Sequence, residues 1–228
     1  MATNISTIRA ELRSRVGNRS TTALPESRLD FCIRESVFQI SSPKVHKQAD
    51  LERLIDLDTS NGVDTYSLGT ADQIWTIFSL RDRTTGNIRR LSNIGPQAMD
   101  EIEKTTGIPL RYARWGGDAG ATGLEIDPIP NGVYNLRARV YTYPSFTLDS
   151  DGLLTGTLPL RPVYDEGILL GAEYRVWMNI LQNPTRGAVV KNQLSDWIDT
   201  IISPAEGELD DNAVDMLMPN IRGVYGSY

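Results

Sequence analysis

GIPLRYARWGGDAGATGLEIDPIPNGVYNLRARVYTYPSF, residues 107–146, decides how the chain is read. It predicts three short β-strands. Leu110 to Trp115 is the first, and Gly116, Gly117, Gly120 and Gly123 then loosen the chain into a turn. Leu124 to Asp127 is the second, closed by Pro128 and Pro130, which cannot donate to a central ladder. Asn131-Gly132 is a short hairpin signal, because both residues tolerate positive φ. Val133 to Tyr143 is the third and longest strand. Tyr134, Leu136, Ala138 and Val140 alternate there with Asn135, Arg137, Arg139 and Tyr141, so one face is buried and the other wet. Nothing in the stretch resembles chemistry. It reads as a rigid antiparallel module.

Helical patterns lie on both sides of it. Ile5, Ile8, Leu12 and Val16 make one stripe over residues 5–18, and Gly17-Asn18 is a stop. Pro25 opens a second helix, whose stripe is Leu29, Ile33, Val37 and Ile40. From Leu51 the period becomes two, with strands at Leu51 to Leu57, Thr65 to Leu68, Ile74 to Arg81 and Ile88 to Leu91. A short helix follows over Gln97 to Thr105. Residues 149–160 read as a loop. Two more helices cover residues 161–182, with Tyr174 and Trp177, and 186–202, with Trp197. The sequence thus predicts an α+β fold: a four-helix bundle (1–48 and 159–203), an inserted, mostly antiparallel β module (49–158) and an extended C-terminal tail (204–228).

Composition narrows the function classes. The 228 residues carry a net charge of -6, which argues against wrapping nucleic acid through its phosphates. No apolar run is long enough for a membrane span, and the N-terminus lacks a signal-peptide core. Cytoplasmic synthesis is the expectation. The single cysteine, Cys32, has no internal disulfide partner.

Catalytic and metal chemistry find little support. His46 is the only histidine and reads as surface loop, and Cys32 sits on a core-facing stripe. Asp149-Ser150-Asp151-Gly152 has a trace of a calcium loop but lacks its spaced acids and final glutamate. The sequence predicts no enzyme, no metal and no cofactor. Two features point instead to partners. Arg9, Arg13 and Arg15, with Arg19 and Arg28, make the N-terminal third basic. Their plainest reading is a solvated helix face. The functional reading pairs them with the acidic tail of an adjacent copy, through Glu208, Asp210 and Asp211. The tail then ends in Met216, Leu217, Met218, Ile221, Val224, Tyr225 and Tyr228, which either fold back or dock on a partner.

In order and spacing these landmarks resemble the adaptor (connector) proteins of tailed bacteriophages. The residues that carry the resemblance are the Arg-rich first helix IRAELRSRVG, Tyr66 to Leu68 (Tyr-x-Leu), Gly107 to Tyr112 (Gly-x-Pro-x-x-Tyr), Leu124 to Pro130 (Leu-x-x-x-Pro-x-Pro) and, more loosely, Tyr134 to Pro144. Leu158-Pro159 then leads into a long amphipathic helix. The resemblance covers residues 5–202, and no motif matches the tail beyond Ser203. It implies a structural virion protein at the head-tail junction. Such a protein forms a twelvefold ring under the portal, extends the DNA channel and joins the capsid to tail or nozzle proteins. DNA passes through without specific binding, and the C-terminal extension runs along the portal. The alternatives are another tail or baseplate component, or a carbohydrate-binding protein using the aromatics of the β module.

Overall fold

The computed structural model describes residues 2–42, 48–68, 74–84, 88–116 and 122–202. The chain divides into two compact units, Met1–Asp50 with Pro144–Tyr228, and Leu51–Tyr143. Among the described residues the α-helices are α1 (Ile5–Arg15), α2 (Glu26–Ile40), α3 (Pro96–Asp100), α4 (Asp165–Arg175) and α5 (Pro184–Trp197). All but α3 belong to the first unit.

Local chemistry sets the helix starts. The Asn4 side chain accepts a hydrogen bond from Ser6 N at 2.9 Å and caps α1. Pro25 precedes α2 and Pro184 opens α5, where a missing N–H costs nothing. Both α4 and α5 run on into π-helical turns, Val176–Ile180 and Ile198–Ile202. Leu181 N donates to Val176 O at 2.9 Å in the first of them.

The structure is mixed α/β with a curled seven-stranded sheet, and the expected four-helix bundle is not what forms. Gly167 to Ala172 are all buried, so α4 is wrapped rather than amphipathic. It packs against α1, α2 and α5, whereas α5 packs on α4 and on the π-helical turns. Leu170, Val190, Leu194 and Ile198 form their own cluster with Tyr174, Trp177 and Trp197, apart from the α1 and α2 stripes. Apolar spacing showed each stripe but not that α4 needs cover on several sides. Its glycines allow that approach. A Cβ on Gly167 would lie 2.3 Å from the Trp197 ring, and one on Gly171 would lie 2.2 Å from Ser36 Oγ.

The second unit is built on a curled sheet. Its strands are β1 (Glu52–Asp58), β2 (Thr65–Ser67), β3 (Ile74–Asp82), β4 (Arg89–Asn93), β6 (Arg111–Gly116), β7 (Thr122–Asp127) and β9 (Asn135–Thr142), in the order β1-β9-β3-β4-β6-β7-β2. The β4–β6 pair is parallel and the others antiparallel. Strands β5 (Thr106–Gly107) and β8 (Ile129–Pro130) pair separately. The pair β10 (Thr147–Leu148) and β11 (Leu154–Thr155) belongs to the helical unit, and β11 lies where the sequence predicted only loop.

The hairpin expected across Asn131-Gly132 does not form, because β7 and β9 are not neighbours. Ile129-Pro130 is drawn into β8, which carries the chain away before β9 begins. Strand β9 instead lies between β1 and β3. Its alternation holds as far as Val140, with Leu136, Ala138 and Val140 fully buried, but Tyr141, expected on the wet side, is fully buried as well. In β3 the register shifts between Ile74 and Thr76 and again between Ile77 and Ser79. These two bulges turn a period of two into three, so Ile74, Ile77 and Leu80 all reach the core. The sheet edges are blunted. Strand β2 is short, and β1 carries Glu52, Arg53, Asp56 and Asp58.

Candidate interaction surfaces

The arginines of α1 are largely engaged within their own unit. Arg9 turns inward: its Nε donates to Asp30 Oδ1 at 2.7 Å and its Nη2 to Asp30 Oδ2 at 2.8 Å. The same Nη2 donates to Leu154 O at 2.9 Å, and Leu154 N donates to Asp30 Oδ2 at 2.8 Å. Arg9 and Asp30 thus join α1, α2 and β11. Arg15 donates to both Glu166 oxygens, at 2.8 and 2.7 Å, and to Glu11 at 2.8 Å. The Arg15 hydrogen bond holds the Glu166 carboxyl below its ordinary range. Arg13 Nη1 donates to Arg19 O at 2.7 Å, while its buried Nη2 finds no acceptor among the described residues. Two of the three arginines are therefore occupied within their own unit. Glu208, Asp210, Asp211 and the apolar tail residues Met216, Leu217, Met218, Ile221, Val224, Tyr225 and Tyr228 lie outside the described residues, as does His46.

The residues weighed for chemistry have structural occupations. Cys32 is buried, and burial pushes its thiol up to about 11 although the Arg175 charge nearby favours the thiolate. It stays a protonated, inert thiol at neutral pH. Asp149 Oδ1 accepts from Asp151 N and Leu153 N, both at 2.9 Å, and so closes the β10–β11 turn. Among the described residues no group of three His, Cys, Asp or Glu is placed to hold a metal. Trp75 stacks on Tyr143 at 4.5 Å, and the Trp177 indole donates to Glu173 at 3.1 Å. Trp115 covers Gly123, where a Cβ would sit 2.6 Å from the ring.

The surface that the sequence did not disclose is an arginine row across the sheet. Asp56 of β1 faces Arg137 of β9, Arg137 faces Arg81 of β3, and Arg81 faces Arg90 of β4. All four project to the same side of the sheet. Asp56 accepts from Arg137 Nε at 2.6 Å and Nη2 at 2.7 Å. That hydrogen bond, with the nearby Arg83 charge adding, holds the Asp56 carboxyl below its ordinary range. Glu52 accepts from Arg139 Nε at 2.9 Å. Arg81 and Arg83 are exposed and hold no ion pair among the described residues. Arg90 gives Nη2 to Phe78 O at 3.3 Å, and no carboxylate reaches it among the described residues. Arg137 and Arg139 were visible beforehand as the wet side of a strand. Their alignment with β3 and β4 was not, because it depends on the bulges and on strand order.

Beside this row the sheet opens. Strand β4 pairs with β3 only through Arg89–Leu91, then leaves it to run parallel with β6 at Ser92 and Asn93. Arg114 spans the gap, donating to the carbonyls of Ile74 and Trp75 at 2.5 Å each. A cavity of about 590 Å³ sits at the divergence, lined by Ile77, Phe78, Leu91, Ser92, Asn93 and Tyr112, with Arg90 on its wall.

Among the described residues no helix is long and apolar enough to cross a membrane. No curated protein matches the chain. A protein-family model does match, that of the SU10 adaptor protein, over residues 3–211. The match spans both units and agrees with the head-to-tail adaptor resemblance carried by Tyr66 to Leu68, Gly107 to Tyr112 and Leu124 to Pro130. The chain therefore belongs to the SU10 adaptor protein family and is a structural phage protein of the adaptor kind.

Proposed function

We propose that this adaptor forms a ring, twelvefold in the family pattern, beneath the portal at the head-tail junction. There it extends the DNA channel and joins the capsid to the tail. The observation that carries the reading is the family match over residues 3–211. The charge supports it, since a chain with a net charge of -6 repels passing DNA rather than gripping it.

Residues 204–228 are the portal-docking arm in this reading. Pro204, Gly207, Pro219, Gly223 and Gly226 discourage one continuous helix over that sequence. Met216, Leu217, Met218, Ile221, Val224, Tyr225 and Tyr228 supply apolar and aromatic contacts for a partner. Repeated around a ring, modest contacts add up to firm attachment.

Deleting residues 204–228 tests the arm. The truncated protein is expected to keep both folded units, read by circular dichroism and hydrogen exchange, and to lose binding to portal-bearing capsids in co-sedimentation. Capsid binding at full strength by the truncated protein would move the portal contact onto the folded units.

A further inference from the structure

We infer that the arginine face of the sheet docks the acidic segment Glu206–Asp215 of a second copy of this chain. The inference rests on the reading that several copies assemble, and adds where one copy holds the next. The first argument is unbalanced charge. Arg137, Arg81 and Arg90 occupy one row on three adjacent strands, so their Cα atoms span only about 10 Å. Like charges set directly opposite one another across a sheet are unfavourable. Asp56 and Glu52 pair with Arg137 and Arg139, which leaves Arg81, Arg83 and Arg90 without an ion pair of their own among the described residues. Concentrated exposed cations on a chain whose net charge is -6 imply an anionic occupant that offsets their repulsion.

The occupant of matching chemistry is on the same chain. Residues 204–221 contain Glu206, Glu208, Asp210, Asp211 and Asp215 and no Lys or Arg. The α1 arginines do not compete well for it, because Arg9 and Arg15 already hold Asp30 and Glu166. The acids Glu206 to Asp215 come before the apolar residues that begin at Met216, so the acidic part can hold a neighbouring copy while the end of the tail serves the portal contact. Carboxylates on guanidinium groups give charge-assisted, often bidentate hydrogen bonds. DNA phosphate is the rival polyanion, but it would have to approach against the net charge of the whole chain.

The test uses the full-length chain in three versions: Arg81→Glu with Arg83→Glu and Arg90→Glu; Glu208→Lys with Asp210→Lys and Asp211→Lys; and all six together. Self-association is read by sedimentation at low salt, and binding of a short DNA duplex by fluorescence anisotropy. Each triple reversal is expected to weaken self-association by about tenfold or more, and the sixfold swap to restore a large part of it. Wild-type association with both triple variants unchanged, or a sixfold variant in which the two losses simply add, overturns the docking and leaves assembly standing. Loss of DNA binding in the arginine variant with self-association intact assigns the face to nucleic acid and also overturns it. A wild-type chain that does not associate at all contradicts both the docking and the assembly reading beneath it.

Discussion

Arg9→Ala is expected to destabilise the helical unit by roughly 3–5 kcal/mol, the usual cost of breaking a buried ion pair by removing one partner. The Asp30 side chain is only 6% exposed and accepts both Arg9 hydrogen bonds and the Leu154 N–H. Taking away the guanidinium leaves a carboxylate with one backbone donor in a site that water barely reaches. Hydrogen exchange across α1 and α2 would report the loss as faster opening there, with the strands of the second unit unchanged. Replacing both partners, as Arg9→Met with Asp30→Leu, should cost less than Arg9→Ala alone, since no charge is then stranded. A loss under about 1 kcal/mol for Arg9→Ala would mean that the pair is solvated and that Arg9 is available to a neighbouring copy.

Leu80→Ala should cost the sheet unit roughly 2–5 kcal/mol. Leu80 is fully buried in β3, with Ala138 of β9 and Leu91 of β4 as its lateral neighbours. The lost side chain leaves a cavity that Ala138 is too small to fill, so the upper part of the range applies. Because the chain has two units, the measurement needs a local probe: exchange protection of β3, β4 and β9 should fall while that of α2 and α4 persists. A loss near that of a surface substitution would show that the bulges do not hold Leu80 in the core.

The two variants bear on what periodicity could and could not show. The stripes of α1 and α2 and the alternation in β9 up to Val140 were readable, because each buries one side of a regular element, whereas Tyr141 is buried against that alternation. The packing around α4 was not, since a helix buried on several sides loses the polar face that gives a stripe its contrast. The β3 bulges erased the period of two in the strand with the strongest β composition. Asn131-Gly132 misled because turn chemistry fixes a local bend and not which strand lies alongside. The arginine row shows the same limit for function. Arg81, Arg90 and Arg137 are 56 positions apart at their extremes, and only strand order makes them neighbours. Family membership needed less, because short motifs in a fixed order survive without any knowledge of how the strands pair.

Electron cryo-microscopy of the assembled particle tests the central claim most directly. The account predicts a twelvefold ring of this chain, its sheet unit and helical unit both fitted, set between the portal and the tail. Density for the chain at a baseplate or along a tail tube, with none beneath the portal, would contradict it.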